Sequence, residues 1–230
     1  ITAASGDTID MGALADTSFT TAADNITFAT GTIELLNGSN LTVDTGATGG
    51  DITIASIAGT SVETVTLDAG TGALSVGAIG SGTEIGAVTL GSTDDGTVTL
   101  NGAIKTDGNV TITGPVSLAT GAISVTTTND NITFNDTING TRALTLVAGT
   151  GTTTIQGEIG GSSALASLTI TNGTANGAIE IANIGGVTGA TAIGNTNTGT
   201  ITLDGTAYST AGTQTYTAAA GQNIDITGAA

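Results

Sequence analysis

Residues 88–134 read VTLGSTDDGTVTLNGAIKTDGNVTITGPVSLATGAISVTTTNDNITF and repeat one short pattern several times. The pattern is an aliphatic residue, a small hydroxyl residue and a second apolar residue, as in VTL at 88–90 and VTI at 110–112. Such alternation is typical of a short β-strand that turns two side chains to one face and one to the other. The stretch therefore predicts several short strands joined by turns.

The same triplet recurs along most of the chain at a nearly constant interval. Alternate triplets are centred, 21 to 26 residues apart, on Thr42, Thr66, Thr89, Thr111, Thr133, Thr154, Glu180, Thr202 and Asp225. The intervening triplets are centred, 21 to 25 residues apart, on Thr53, Ser75, Thr99, Ser124, Thr145, Thr169, Thr191 and Thr215. A string of β-hairpins has no reason to keep this interval, whereas every turn of a coil repeats the turn before it.

The interval predicts an all-β fold, a single parallel β-solenoid of about nine to ten rungs with a period of about 23 residues. In such a coil the flanking apolar side chains point inward and the central Thr side chains point outward. We expect Asn-Gly and Asp-Gly pairs to form corners with positive φ. These pairs are Asp95-Gly96, Asn101-Gly102, Asn139-Gly140, Asn172-Gly173, Asn176-Gly177 and Asp204-Gly205.

The two ends of the chain differ in how well they keep the period. The regular solenoid is expected over residues 41–230, whereas the apolar spacing drifts in residues 1–40, which predicts irregular N-terminal rungs, a cap or an assembly segment. Residues 223–227 (NIDIT) still show the triplet. We expect that last rung to expose a strand edge, and head-to-tail pairing of such edges does not close and generates a filament.

The composition excludes several classes of function. The chain of 230 residues has no His and no Cys, which removes a histidine general base and a thiolate or imidazole metal site. Its 2 Lys and Arg residues against 19 acidic residues give a net charge of -17. Such a chain cannot neutralise a row of phosphates, so no nucleic-acid partner is expected. No apolar run approaches the roughly 20 residues of a membrane helix, so no membrane insertion is expected.

Carboxylates are the remaining chemical groups of interest. Asp94 and Asp95 are adjacent, and calcium takes carboxylate oxygens, so these two residues are the candidates for a calcium site. No other cofactor and no catalytic residue are predicted. A glycosidase would need two carboxylates about 5 to 9 Å apart, with aromatic rings that 2% aromatic content hardly supplies. The charge of -17 predicts that association of copies depends on salt or divalent ions.

The second half of the chain resembles the repeats of filamentous-haemagglutinin-like bacterial surface proteins. The likeness is strongest over residues 108–217 and rests on DNITF at 130–134, ALTLVAGTG at 143–151, LASLTI at 165–170, GTITL at 199–203 and STAGTQTY at 209–216. The resemblance implies a parallel β-helix and a role as a large secreted adhesin or matrix protein, often without enzymatic activity.

These observations together predict a non-enzymatic, extracellular structural protein of a prokaryotic cell surface. Its expected partner is itself, in a head-to-tail homopolymer that forms a filament, sheath or fibre, together with other surface or matrix components. One alternative is the spacer or stalk of a secreted adhesin, and a more distant one is a carbohydrate-active β-helix enzyme. Because the sequence begins at Ile1, we expect a processed product or an interior piece of a longer protein.

Overall fold

The computed structural model describes residues 1, 3–4, 6–11, 16–60, 62–91, 96–173 and 176–228. These residues form β-strands and no helix, and the strands stack in parallel as a β-solenoid of about nine turns with a period of about 23 residues. The predicted fold class is therefore confirmed. The chain divides into two compact units, Ile1–Pro115 and Val116–Ala230, which we call unit 1 and unit 2.

Unit 1 contains the first twelve strands. They are β1 (Thr8–Met11), β2 (Thr17–Thr20), β3 (Ile26–Phe28), β4 (Thr32–Leu35), β5 (Leu41–Asp44), β6 (Ile52–Ala58), β7 (Val65–Asp68), β8 (Leu74–Ile79), β9 (Val88–Gly91), β10 (Val98–Leu100), β11 (Ile104–Thr106) and β12 (Val110–Thr113). The chain passes through three sides in each turn. Side 1 stacks β2, β5, β7, β9 and β12. Side 2 stacks β3, the first halves of β6 and β8, and β10. Side 3 stacks β1, β4, the second halves of β6 and β8, and β11.

Unit 2 contains the other twelve strands. They are β13 (Val116–Leu118), β14 (Ile123–Thr127), β15 (Ile132–Phe134), β16 (Ile138–Asn139), β17 (Ala143–Val147), β18 (Thr153–Ile155), β19 (Ser167–Thr171), β20 (Ile179–Ile181), β21 (Thr191–Ile193), β22 (Ile201–Leu203), β23 (Gln214–Tyr216) and β24 (Ile224–Ile226). Side 1 stacks β15, β18, β20, β22 and β24. Side 2 pairs β13 with β16 and continues as bridges through Ile159, Ile184 and Tyr208. Side 3 stacks β14, β17, β19, β21 and β23.

Side 1 shows how the triplet builds the core. Thr66 lies in register with Thr42 on one neighbouring strand and with Thr89 on the other, and it points outward. Its neighbours Val65 and Leu67 point inward and are each 1% exposed. The same register runs through side 1 of unit 2, whose outward residues are Thr133, Thr154, Glu180, Thr202 and Asp225. The first series of triplet centres is therefore confirmed within each unit.

The second series of triplet centres does not stay on one side. In unit 1 its members Thr53, Ser75 and Thr99 are paired on side 2. In unit 2 its members Ser124, Thr145 and Thr169 are paired on side 3. The coil has three sides per turn. A triplet predicts which of its side chains point inward, but it does not predict on which of the three sides the strand lies.

The sequence pattern predicts that Thr191 points outward, and this prediction is wrong. It lies at an inward position paired with Leu168, is 1% exposed, and its hydroxyl has no hydrogen-bond partner among the described residues. Ala192 takes the outward place in register with Thr169. One phase of this strand would bury Ala190 and Ala192 and expose the two larger side chains, whereas the observed phase buries Thr191 and Ile193. The observed phase is favoured because burial of the large apolar side chain of Ile193 outweighs one unsatisfied hydroxyl.

The corner glycines serve two different purposes. Gly140 and Asn176 have φ of 132° and 47°, as predicted for tight corners. Gly102 does not have a positive φ, and a Cβ there would lie 2.5 Å from the backbone nitrogen of Ala78 in the neighbouring layer. The same close approach of backbones occurs at Gly96, and it occurs again without positive φ at Gly177 and Gly205. The prediction of positive φ is wrong at Gly102, Gly173, Gly177 and Gly205. At all of these except Gly173, close stacking of layers excludes a side chain.

Residues 1–40 contain paired strands. β1 is in register with β4 through Ile9 and Ile33, and β2 is in register with β5 through Phe19 and Val43. The ring of Phe19 contacts the ring of Phe28 edge to face, with centroids 5.1 Å apart. The boundary at residue 40 and the role of this segment as a cap or assembly segment stay predictions.

Candidate functional site

Strand β24 forms an open edge of side 1 in unit 2. It pairs with β22, placing Ile224 opposite Ile201 and Ile226 opposite Leu203, and no described strand pairs with its other edge. Ile224 and Ile226 are 44% and 76% exposed, whereas Ile201 and Leu203 are 0% and 6% exposed at the same positions one layer away. A further layer paired with β24 would therefore bury the side chains of Ile224 and Ile226.

The neighbouring parts of this end are also partly open. Gln214 of β23 is exposed and Tyr216 is half-buried, and β23 pairs with β21 alone among the described strands. The hydroxyl of Tyr216 donates a hydrogen bond of 2.8 Å to Oε1 of Gln214. Burial raises the pKa of the Tyr216 phenol, and the nearby phenol of Tyr208 adds to this rise. The phenol groups are therefore neutral donors at physiological pH.

The first layer of unit 1 offers a second open edge. β2 pairs with β5 and with no other described strand. Its inward residues are Thr17 and Phe19, which lie opposite buried Leu41 and Val43 and are themselves half-buried. Among the described strands, β2 in unit 1 and β24 in unit 2 therefore each have a partner on one edge.

Asparagine and aspartate side chains connect successive layers in a repeated way that the sequence reading missed. Oδ1 of Asn40, the residue directly before β5, accepts the backbone N–H of Thr64, the residue directly before β7, at 2.7 Å. The same bond, 2.8 to 3.1 Å long, joins five further pairs at equivalent positions, in which Oδ1 of the first residue accepts the backbone N–H of the second: Asp16 and Asn40, Asn25 and Asp51, Asp51 and Ala73, Asn131 and Thr152, and Asn183 and Ala207. We call this bond the Asx latch. A polar Asn or Asp immediately before each strand is the signal that could have found it.

Glu63 is a buried carboxylate in the turn between β6 and β7, and it too was missed. It has 0% exposure. Oε2 accepts the backbone N–H groups of Thr60 at 2.8 Å and Val62 at 3.3 Å, and Oε1 accepts the N–H of Gly38 at 3.2 Å and the Thr60 hydroxyl. The spacing Thr60-x-x-Glu63 resembles the capping box, in which a glutamate satisfies free backbone donors. That motif was the available signal.

Hydrogen bonding sets the ionisation of Glu63. Burial raises the pKa of its carboxyl, but the bonds from the side chain and backbone of Thr60, with further backbone N–H groups, lower it more strongly. The net effect lowers the pKa from 4.5 to about 2. The carboxylate therefore stays charged and holds the turn together at any pH near neutrality.

We expect acid to remove the stabilisation supplied by Glu63. Because its pKa falls from 4.5 to about 2 on folding, the stabilisation is complete above pH 4.5 and is lost as the pH falls to about 2. At about 1.4 kcal/mol per pKa unit, the loss is up to roughly 3 kcal/mol. Denaturant unfolding followed by circular dichroism should show the gap between wild type and Glu63→Gln closing over this range. A gap that stays constant contradicts the assignment.

The predicted calcium ligands Asp94 and Asp95 lie within residues 92–95, outside the described ranges. Among the residues that are described, no three carboxylates come together in a group that could hold a metal ion. The calcium site therefore stays a prediction.

Two shallow grooves lie on the outer face of side 1. The groove in unit 1 has a volume of about 110 Å³ and is lined by Thr66, Thr89 and Thr113 with Asp68. The groove in unit 2 has a volume of about 230 Å³ and is lined in part by Gln156, Glu180 and Asp204. Small-molecule sites usually enclose roughly 300 to 1,000 Å³ with apolar and aromatic walls. The small size of both grooves favours a solvated outer surface.

No protein-family model, curated protein or solved structure matches this chain. The fold is compatible with a β-helix repeat protein, and the narrower resemblance of residues 108–217 to bacterial adhesins stays an expectation. No helix long and apolar enough to cross a membrane is present in the described ranges.

Proposed function

We propose that this chain is a non-enzymatic structural protein of the prokaryotic cell surface, a β-solenoid subunit whose copies associate end to end into a filament, sheath or fibre. The observation that carries the proposal is the open edge of β24, where Ile224 and Ile226 are exposed at positions that are buried one layer away. A second copy of this chain is the proposed occupant of that edge.

The physical reason is that one partner strand can form hydrogen bonds with the open strand edge and also bury its apolar side chains. An edge strand presents main-chain N–H and C=O groups to any further strand. A strand that pairs there also covers Ile224 and Ile226, which stabilises the association by roughly 2 to 3 kcal/mol. The β2 edge of another copy supplies a strand of the required parallel kind, with Phe19 as an inward apolar side chain.

The composition supports a mechanical role outside the cell. The chain has no Cys, no His and a net charge of -17. Its core is built from stacked aliphatic side chains, and its outer surface carries hydroxyl and acidic groups. The resemblance of residues 108–217 to secreted surface repeats points to the same location.

We expect Ile226→Lys to weaken end-to-end association at least tenfold. An ammonium group placed where β24 meets the next copy would have to lose its water without a partner, which raises the concentration needed for fibres at least tenfold. The measurement is sedimentation velocity over a concentration series, with negative-stain microscopy of the sedimented material. Because Ile226 is 76% exposed, the variant should melt at the wild-type temperature.

The matched control is Val62→Lys. Val62 is 68% exposed but lies in the turn before β7 and belongs to neither β2 nor β24, so this variant should form fibres as wild type does. Fibres formed equally well by Ile226→Lys would contradict the proposal. A wild-type chain that stays monomeric at every concentration would favour the alternative role, a spacer or stalk of an adhesin.

A further inference from the structure

We propose that the carboxamide of Asn223 sets the register of end-to-end association by forming an Asx latch with the backbone N–H of Asp16 in the next copy. The inference rests on the proposed function, because it names the contact through which two copies meet. It concerns side 1, where β24 of one copy would lie beside β2 of another.

Asn223 occupies the latch position by its backbone geometry. Asn40 is one of the latch residues described above. Its backbone carbonyl accepts the N–H of Thr17, the first residue of β2, at 2.8 Å. The carbonyl of Asn223 accepts the N–H of Ile201, the first residue of β22, at 3.0 Å in the same way. Asn223 therefore occupies the position directly before β24, as Asn40 occupies the position directly before β5.

The side chain of Asn223 is available for this bond. Asn223 is exposed, and its carboxamide makes no hydrogen bond to a described residue. In each latch of the structure, the side-chain oxygen of one layer accepts the N–H at the equivalent position of the next layer. The equivalent position in the first layer is Asp16, directly before β2, and no described residue accepts its backbone N–H.

The latch implies one register between β24 and β2. Ile224 would face Thr17, Asp225 would face Ser18 and Ile226 would face Phe19. This register keeps apolar side chains inside, and it sets the carboxylate of Asp225 against a hydroxyl. A slip of two residues toward the N-terminus of β2 would instead set Asp225 against Asp16, and two facing carboxylates repel each other. Charge and hydrogen bonding thus favour the same pairing.

Disulfide cross-linking between two variants tests this register directly, because the chain has no cysteine of its own. Paired residues on adjacent strands lie about 4.8 Å apart, within the range of a disulfide, whereas an offset of two residues gives roughly 8 Å, which is too far. A mixture of Ser18→Cys and Asp225→Cys proteins should therefore form a linked dimer under mild oxidation. A mixture of Thr20→Cys and Asp225→Cys should give no more than about a tenth of that yield. Mass spectrometry of the linked peptides identifies the pair.

The role of Asn223 is tested by adding Asn223→Ala to the Asp225→Cys protein. Loss of one hydrogen bond of about 1 kcal/mol should lower the 18–225 yield about fivefold at subsaturating protein concentration. The matched control is Gln222→Ala, an exposed neighbour, which should change the yield less than twofold.

The outcomes separate the two proposals. If Asn223→Ala leaves the yield and the choice of partner cysteine unchanged, the latch is overturned while end-to-end association stands. Equal yields for the cysteines at positions 18 and 20 overturn the register. If no mixture cross-links and the wild-type chain forms no fibres, the proposed function fails and the latch fails with it.

Discussion

Replacing Glu63 by alanine is expected to lower the free energy of unfolding of unit 1 by about 3 to 4 kcal/mol. The substitution removes the acceptor for the backbone N–H groups of Gly38, Thr60 and Val62 and for the Thr60 hydroxyl. These donors hold the turn before β7 against the turn one layer away. Urea or guanidinium unfolding followed by far-ultraviolet circular dichroism measures the change.

Two comparisons show whether the effect comes from the carboxylate. Glu63→Gln keeps the shape and one acceptor oxygen but loses the charge, so we expect a loss of about 3 kcal/mol, as for protonation of the carboxylate. Glu180→Ala removes an exposed carboxylate from side 1 of unit 2 and should cost no more than about 0.5 kcal/mol. If Glu63→Ala costs no more than Glu180→Ala, the turn does not depend on the buried carboxylate.

Phe134→Ala is expected to destabilise unit 2 by about 3 to 5 kcal/mol. Phe134 is one of the largest side chains in the core, is 0% exposed, and lies on β15 opposite Ile155 of the next layer. Alanine leaves a cavity that the layers cannot close, because hydrogen-bonded strands hold their spacing at about 4.8 Å. Denaturant unfolding and the melting temperature report the loss.

The controls for this prediction vary size and burial separately. Phe134→Leu keeps most of the volume and should cost no more than about 1.5 kcal/mol. Phe19→Ala removes a half-buried ring in the first layer, and it should cost less than Phe134→Ala. A loss for Phe134→Ala that is no larger than the loss for Phe19→Ala would show that the coil relaxes around the missing ring.

Much of the fold follows from the sequence because each strand repeats the same local rule. The alternation around Thr66 determines that Val65 and Leu67 point inward, and the interval of about 23 residues makes each triplet face its copy one turn away. Thr191 shows the limit of this reading. The phase with Thr191 outward would have exposed Ile193, and the packing of Ile193 against the core decides for the other phase.

Less of the candidate site follows from the sequence. The open edge of β24 was expected from the triplet in residues 223–227, and the structure adds the exposure of Ile224 and Ile226. The Asx latch and the carboxylate of Glu63 were not expected. The latches and the bond from Gly38 to Glu63 join residues 21 to 26 apart in sequence, which stacking alone brings within hydrogen-bond distance.

The five residues DNITF occur twice, at 24–28 and at 130–134. A comparison of the two copies distinguishes what the sequence determines from what the tertiary structure determines. The sequence predicted a strand with Ile132 and Phe134 inside for the second copy alone, yet both copies form a strand, and Phe28 and Phe134 are 1% and 0% exposed. The tertiary structure decided that the first copy lies on side 2 as β3 and the second on side 1 as β15. The physical reason is that inward and outward alternation is a property of the strand alone, whereas the side depends on which strands of the neighbouring layers it pairs with.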